Sequence, residues 1–194
     1  MMVSFATLVE ELDASDMLGH LRNFPLDLAR AWKAAEGWDF SAIENQQFSG
    51  VICLGMGGSA SGGDFLSCLS DADGCLPFVS HRGYDLPTWA SEKWLVLSTS
   101  YSGNTEETID ATEAAIGLGC TVIGMSSGGK MKTLLEDSNQ TWIELPGGQP
   151  PRSAFGHIFG AQVAISWKLG IISPPDDLDS LIERLSEAVE ACDF

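Results

Sequence analysis

Basic residues are scarce in this chain: 10 Lys and Arg stand against 27 Asp and Glu, a formal charge of −17 over 194 residues. A nucleic-acid surface needs clustered cations to neutralise phosphates, so that class of partner is excluded. The same negative field repels an anionic metabolite at long range. Any phosphate site must therefore act locally, through amides, hydroxyls and at most a single Arg. Apolar runs long enough to cross a bilayer are missing too. The acidic, amphipathic start MMVSFATLVEELDASD has neither the basic opening nor the cleavage site of a signal peptide. The five cysteines (Cys53, Cys68, Cys75, Cys120, Cys192) include no close pair, which fits reduced thiols in a cytoplasmic protein. His20, His81 and His157 lie too far apart to suggest a metal site. There is no internal repeat and no low-complexity linker.

What the chain has instead is a regular alternation of short apolar runs and amphipathic stretches. Helices are predicted at its start over Phe5–Asp16 and Pro25–Glu36, followed by a connector. Strands are predicted over Gly50–Gly55, Pro77–Ser80, Trp94–Thr99, Cys120–Met125 and Thr141–Leu145. Helices fall between and after them, over Ser59–Ser70, Thr105–Leu118, Lys130–Leu135, Ser153–Lys168 and Asp177–Ala191. The alternation predicts an α/β fold in three α/β/α layers, with a doubly wound, five-stranded parallel sheet. The length fits one domain: residues 49–194, with the helices of residues 1–48 packed on it. Ligands of such sheets bind outside the carboxyl ends of the strands.

Three Gly- or Ser-rich turns fall at those ends. STSYSGNTEET, Ser98 to Thr108, places Ser98, Thr99, Ser100, Ser102 and Thr105 between an apolar strand and a helix, with Gly103 for the turn. Free amides, hydroxyls and the positive end of the helix dipole converge there and suit an anion. Helix capping is the bland alternative, but one or two hydroxyls would serve it. Gly55-Met-Gly57-Gly-Ser-Ala60 matches the dinucleotide fingerprint GxGxxA. The acidic ribose ligand expected at the end of the next strand is missing, because Val79-Ser-His81-Arg82 stands there. Gly124-Met-Ser-Ser-Gly-Gly129-Lys130 resembles a P-loop, but Met131 occupies the position where Ser or Thr must ligate magnesium. Neither a nicotinamide cofactor nor a nucleotide is expected, and no other cofactor is indicated.

A fourth segment, Gly147-Gly-Gln-Pro-Pro-Arg152-Ser-Ala-Phe-Gly-His157, brings Arg152 to the predicted start of a helix. The helix dipole opposes a cation there, so Arg152 needs another partner. A bound anion or a developing oxyanion is one; a nearby surface carboxylate is the other.

Together GMGGSA, STSYSGNTEET, SSGGKM and PPRSAFGHIFG resemble the sugar isomerase (SIS) domain, whose sheet is flavodoxin-like. More narrowly they resemble the first half of the bifunctional phosphoglucose/phosphomannose isomerases, and HRGYDLP resembles a further segment of that family. The resemblance runs from about Gly50 to Lys168. It implies that Gly57, Gly58 and Ser59 contact sugar phosphate or hydroxyls, that Ser100, Ser102 and Thr105 hold a hexose 6-phosphate, and that Arg152 stabilises an enediolate. It also implies a departure. The family's glutamate base and ring-opening histidine come from a second SIS domain, and no segment here matches them. The expectation is half of an aldose–ketose isomerase, paired with such a domain or with a copy of itself. The alternative is a single module that binds or senses a sugar phosphate without catalysis.

Overall fold

The computed structural model describes residues 4–192. The first strands and helices are β1 (Gly50–Gly55), α4 (Gly58–Asp73), β2 (Phe78–His81), β3 (Trp94–Thr99), α5 (Glu106–Gly117), β4 (Thr121–Ser126), α6 (Gly129–Asp137) and β5 (Thr141–Glu144). Three helices precede them, α1 (Phe5–Leu12), α2 (Met17–Arg22) and α3 (Phe24–Ala35). Two follow, α7 (Phe155–Lys168) and α8 (Leu178–Ala191).

The five strands pair in parallel in the order β2-β1-β3-β4-β5, the doubly wound sheet that the alternation predicts. Their register aligns Ile52 with Val96 and Val96 with Val122, so side chains of like parity line one face. On one face Val51, Cys53, Leu95, Leu97, Ile123 and Met125 pack under Leu66 of α4 and Ile158, Ala161 and Ile165 of α7. On the other, Ile52, Leu54, Val96 and Val122 meet Ile109 and Ala115 of α5 and Met131 and Leu135 of α6. A sheet buried on both faces accounts for strands that read as continuous apolar runs rather than alternating ones. Cys53 lies fully in this core, where burial pushes its thiol up to about 12, and all five cysteines are unbridged.

α3 lies outside α7. Glycines open the contact: a Cβ at Gly156 would stand 2.8 Å from Asp27 Cβ, and one at Gly160 would stand 2.8 Å from Ala31 Cβ. Two expectations are corrected at the helices. The predicted helix over Phe5–Asp16 ends at Leu12, because the Asp13 carboxylate turns to accept the Met17 and Leu18 amides at 2.7 and 2.8 Å, starting α2. Asp16 then takes a left-handed φ of 50°. The last core helix begins at Phe155 rather than Ser153, so Arg152 sits in a turn ahead of α7 and not in its first turn. Among the described residues no helix is long and apolar enough to cross a membrane.

Candidate functional site

In this strand order the chain leaves β1 toward β2 and leaves β3 toward β4, on the opposite side. The connections part at the carboxyl ends of β1 and β3, which is where doubly wound sheets open a crevice for ligands. The turn after β1 holds Gly57, with Gly58 and Ser59 opening α4, and the turn after β3 holds Ser100, Ser102 and Thr105. The fold therefore brings these six predicted residues to one edge.

Inside the second turn the hydroxyls are organised but not consumed. Ser100 Oγ accepts from the Thr105 amide at 3.2 Å and donates to Thr105 Oγ1 at 2.9 Å. Thr105 Oγ1 keeps its own proton to donate elsewhere. Ser102 Oγ accepts from the Asn104 amide at 3.2 Å and likewise keeps its proton. Thr105 is the N-cap of α5, yet its side chain makes no capping hydrogen bond. The capping alternative thus fails here, and the first-turn amides of α5 have no side-chain acceptor. α4 and α6 start from Gly57 and Gly128, N-cap residues with no side chain to offer, and in α6 the Lys130 amide is met instead by Asn104. Glu106 and Glu107 in the first turn of α5 already complement its dipole. What this turn offers a ligand is therefore hydroxyl and amide donors rather than net positive charge.

The turns are bolted together. Asn104 Nδ2 donates to the Ser102 carbonyl at 2.9 Å, and Asn104 Oδ1 accepts from the Lys130 amide at 3.2 Å. The Met131 amide donates to the Gly103 carbonyl at 2.9 Å. The P-loop-like segment is thus a buttress for the second turn. Tyr101 donates its amide to Ser59 Oγ at 3.4 Å, which joins the second turn to the first.

Arg152 approaches from the far side of the first turn. A Cβ at Gly58 would stand 3.4 Å from the Pro151 carbonyl and 3.9 Å from Arg152 Cα, ordinary van der Waals distances that put the start of α4 against the arginine loop. Arg152 is exposed and borders a cavity of about 430 Å³ with Gly58, Ser61 and Phe155. Among the described residues no carboxylate pairs with Arg152. The surface-pair alternative for Arg152 is therefore not what the structure contains.

His81 and Arg82, where the dinucleotide fingerprint needs an acid, are engaged locally: His81 Nε2 lies 2.6 Å from the Asp85 carbonyl and Arg82 pairs with Asp64. Among the described residues no group of three His, Cys, Asp or Glu side chains is placed to share a metal ion.

Four further residues fall outside the predicted site set, although Tyr101, Gln149 and His157 lie within the segments quoted above. Asp27 and His157 are buried between α3 and α7, with His157 Nε2 3.3 Å from Asp27 Oδ1. Gln149, in the loop leading to Arg152, donates to Asp27 Oδ2 at 3.0 Å. Burial holds the His157 imidazole below its ordinary pKa of 6.5, outweighing the attraction of Asp27, and Arg30 adds to the lowering. The fourth is Tyr101, an aromatic side chain set among small hydroxyls, and that contrast is the one clue the sequence offers.

No protein-family model matches the chain. Among curated proteins it is 34% identical over 176 residues to a bifunctional phosphoglucose/phosphomannose isomerase of Caldicellulosiruptor bescii, covering 90% of this chain and 51% of that protein. A protein of the same name from Aquifex aeolicus is 30% identical over 171 residues, covering 84% of this chain and 52% of its own. The chain thus spans about half the length of these relatives. Among solved structures, tagatose-6-phosphate ketose/aldose isomerase from Escherichia coli superposes with a TM-score of 0.73 at 17% identity, over 98% of this chain and 55% of that one. At that identity the likeness speaks for the fold.

Proposed function

The chain carries an SIS domain similar to part of the bifunctional phosphoglucose/phosphomannose isomerases, and on that premise we propose that it is the phosphosugar-binding half of an aldose–ketose isomerase. Its substrates are glucose 6-phosphate or mannose 6-phosphate on one side and fructose 6-phosphate on the other. The observation that carries this reading is the set of uncommitted donors at Ser102, Thr105 and the head of α5, organised by Ser100, with an Arg152 that no carboxylate neutralises beside the first turn.

In this reading Ser100, Ser102 and Thr105 hold the 6-phosphate, and Gly57, Gly58 and Ser59 contact the phosphate or sugar hydroxyls. Removing the proton between C1 and C2 of the open-chain sugar builds negative charge on the neighbouring oxygen. A fixed guanidinium at Arg152 lowers the energy of that enediolate. The base belongs to a second SIS domain or a paired chain, as does the group that opens the ring. No cofactor takes part. We take residues 49–194 as the SIS domain with residues 1–48 docked on it, and the free cysteines agree with a cytoplasmic setting. A non-catalytic sensor of sugar phosphates is the second reading. It is favoured by the sequence itself, in which no segment matches the family's glutamate base and ring-opening histidine.

Calorimetry with glucose 6-phosphate and fructose 6-phosphate tests the assignment. Ser102→Ala should weaken binding by about 1–3 kcal/mol, the loss of one charge-assisted hydrogen bond. Unchanged affinity would remove Ser102 from the phosphate site.

A further inference from the structure

Between Ser100 and Ser102 the chain places a tyrosine that is only 5% exposed. Its phenol donates to the Pro146 carbonyl at 2.8 Å and accepts from the Gln149 amide at 3.3 Å. Both partners belong to the loop that ends in Arg152, and Gly148, with φ of 96°, lets that loop double back around the phenol. The main chain of Tyr101 reaches the other turns. Its amide donates to Ser59 Oγ, and its carbonyl accepts from the Ser127 amide at 2.9 Å and Ser127 Oγ at 2.8 Å. One residue therefore touches the turns after β1 and β4 as well as the arginine loop, while forming part of the turn after β3. On its far edge the same loop is tied by Gln149 to buried Asp27.

We propose that Tyr101 is a positioning residue that fixes the arginine loop, residues 146–152, at a set distance from the phosphate turn. The inference rests on the phosphosugar reading and deepens it. A hexose 6-phosphate carries its anion at one end and its reacting carbons at the other. Ligand selection then depends on the span between the hydroxyl turn and Arg152, and a span is only selective if it is stiff. Burial raises the Tyr101 pKa against the opposing hydrogen bond from Gln149, so the phenol stays protonated, and a donor, throughout the neutral range. A phenylalanine would fill the same space but leave the Pro146 carbonyl and Gln149 amide without this partner.

Tyr101→Phe distinguishes a positioning role from a tyrosine that is merely satisfied in the core. Three probes are titrated by NMR: inorganic phosphate, glucose 6-phosphate, and 6-phosphogluconate, whose carboxylate lies at the end remote from its phosphate. In Tyr101→Phe, phosphate affinity should stay within about twofold, while 6-phosphogluconate affinity falls about tenfold. Adding Arg152→Ala to Tyr101→Phe should then cost little more, since coupled residues lose the same interaction once. Equal weakening of phosphate and 6-phosphogluconate, or additive losses in the double variant, would overturn the proposal. A wild-type chain that binds none of the three probes overturns the phosphosugar reading instead. In that case amide exchange decides the strut: Gly147, Gly148, Gln149 and Ser153 should exchange faster in Tyr101→Phe with strand amides unchanged, and unchanged loop exchange sinks it. If Tyr101→Phe does not fold, Gln149→Ala carries the same comparison, because it cuts the loop's tie to Asp27. Unaltered 6-phosphogluconate affinity in that variant counts against a stiff loop.

Discussion

At Gly103 the backbone holds φ at 69°, and a Cβ added there would run into the Gly128 carbonyl. Two costs combine: left-handed backbone strain of about 1–2 kcal/mol and overpacking of about 1–3 kcal/mol. Gly103→Ala should therefore lower the unfolding free energy by roughly 2–5 kcal/mol in urea titration and abolish anion binding, because the turns after β3 and β4 must part. Gly117→Ala is the matched control. It lies in α5 with open space around the missing Cβ, and alanine there should be neutral or stabilising by up to about 1 kcal/mol. Comparable losses in both variants would show that the crowding at Gly103 is not real. The hydroxyls of this turn were legible in the sequence because strand, turn and helix are contiguous there. The roles of Tyr101 and Gln149 were not, since the phenol finds its partners 45 and 48 residues along the chain. A local pattern has no means of announcing a contact of that range.

The pairing of α3 with α7 sets the most consequential buried charges. Asp27 is fully buried and meets Arg30, Gln149 and His157. Glu144 and Arg30 also border a cavity of about 230 Å³ next to His157. With its folded pKa held below the ordinary 6.5 by burial, His157 stays neutral in the native state where the unfolded chain would already take a proton. The unfolded state then binds more protons, and stability rises with pH across that window. Native stability should accordingly be full above about pH 6.5 and fall as pH drops toward the lowered folded value, with a slope of at most about 1.4 kcal/mol per pH unit. Urea titrations from pH 7.5 to 5.5 on the protein and on His157→Gln measure it. An unchanged slope in the variant would assign the acid sensitivity elsewhere. Asp13, Asp39 and Asp64 all have carboxyls held below the ordinary 3.8, so their contributions disappear only at still lower pH, outside this window. Most elements were legible from periodicity alone, every strand within a residue of its predicted bounds. The break after Leu12 was not, because the pattern from Phe5 stays amphipathic while the Asp13 carboxylate captures two amides ahead of it.

For the whole molecule, the sheet order places the two candidate turns at its switch point, while the chemistry of isomerisation needs more than those turns contain. The chain spans 51% and 52% of two relatives named as bifunctional isomerases, and its own candidate site offers a hydroxyl-rich turn and an Arg152 without an assigned base. A groove of about 520 Å³ between α3, α4, α7 and α8, with Phe65 and Leu69 still 54% and 41% exposed nearby, offers apolar surface for pairing with a second SIS domain or a second copy. Sedimentation at tens of micromolar, the order at which interface-sized burial is populated, reads self-association directly, and a clean monomer argues against the copy. Catalysis gives the sharper test. The chain by itself should bind glucose 6-phosphate, yet convert neither it nor mannose 6-phosphate to fructose 6-phosphate in a coupled assay. Supplying a second SIS domain that carries the base should restore turnover. In that completed enzyme Arg152→Ala should lower kcat by about 10²–10³-fold, the usual cost of losing an oxyanion-type donor, with a milder effect on binding. Robust turnover by the chain alone would overturn this division of labour and place the base among its own carboxylates.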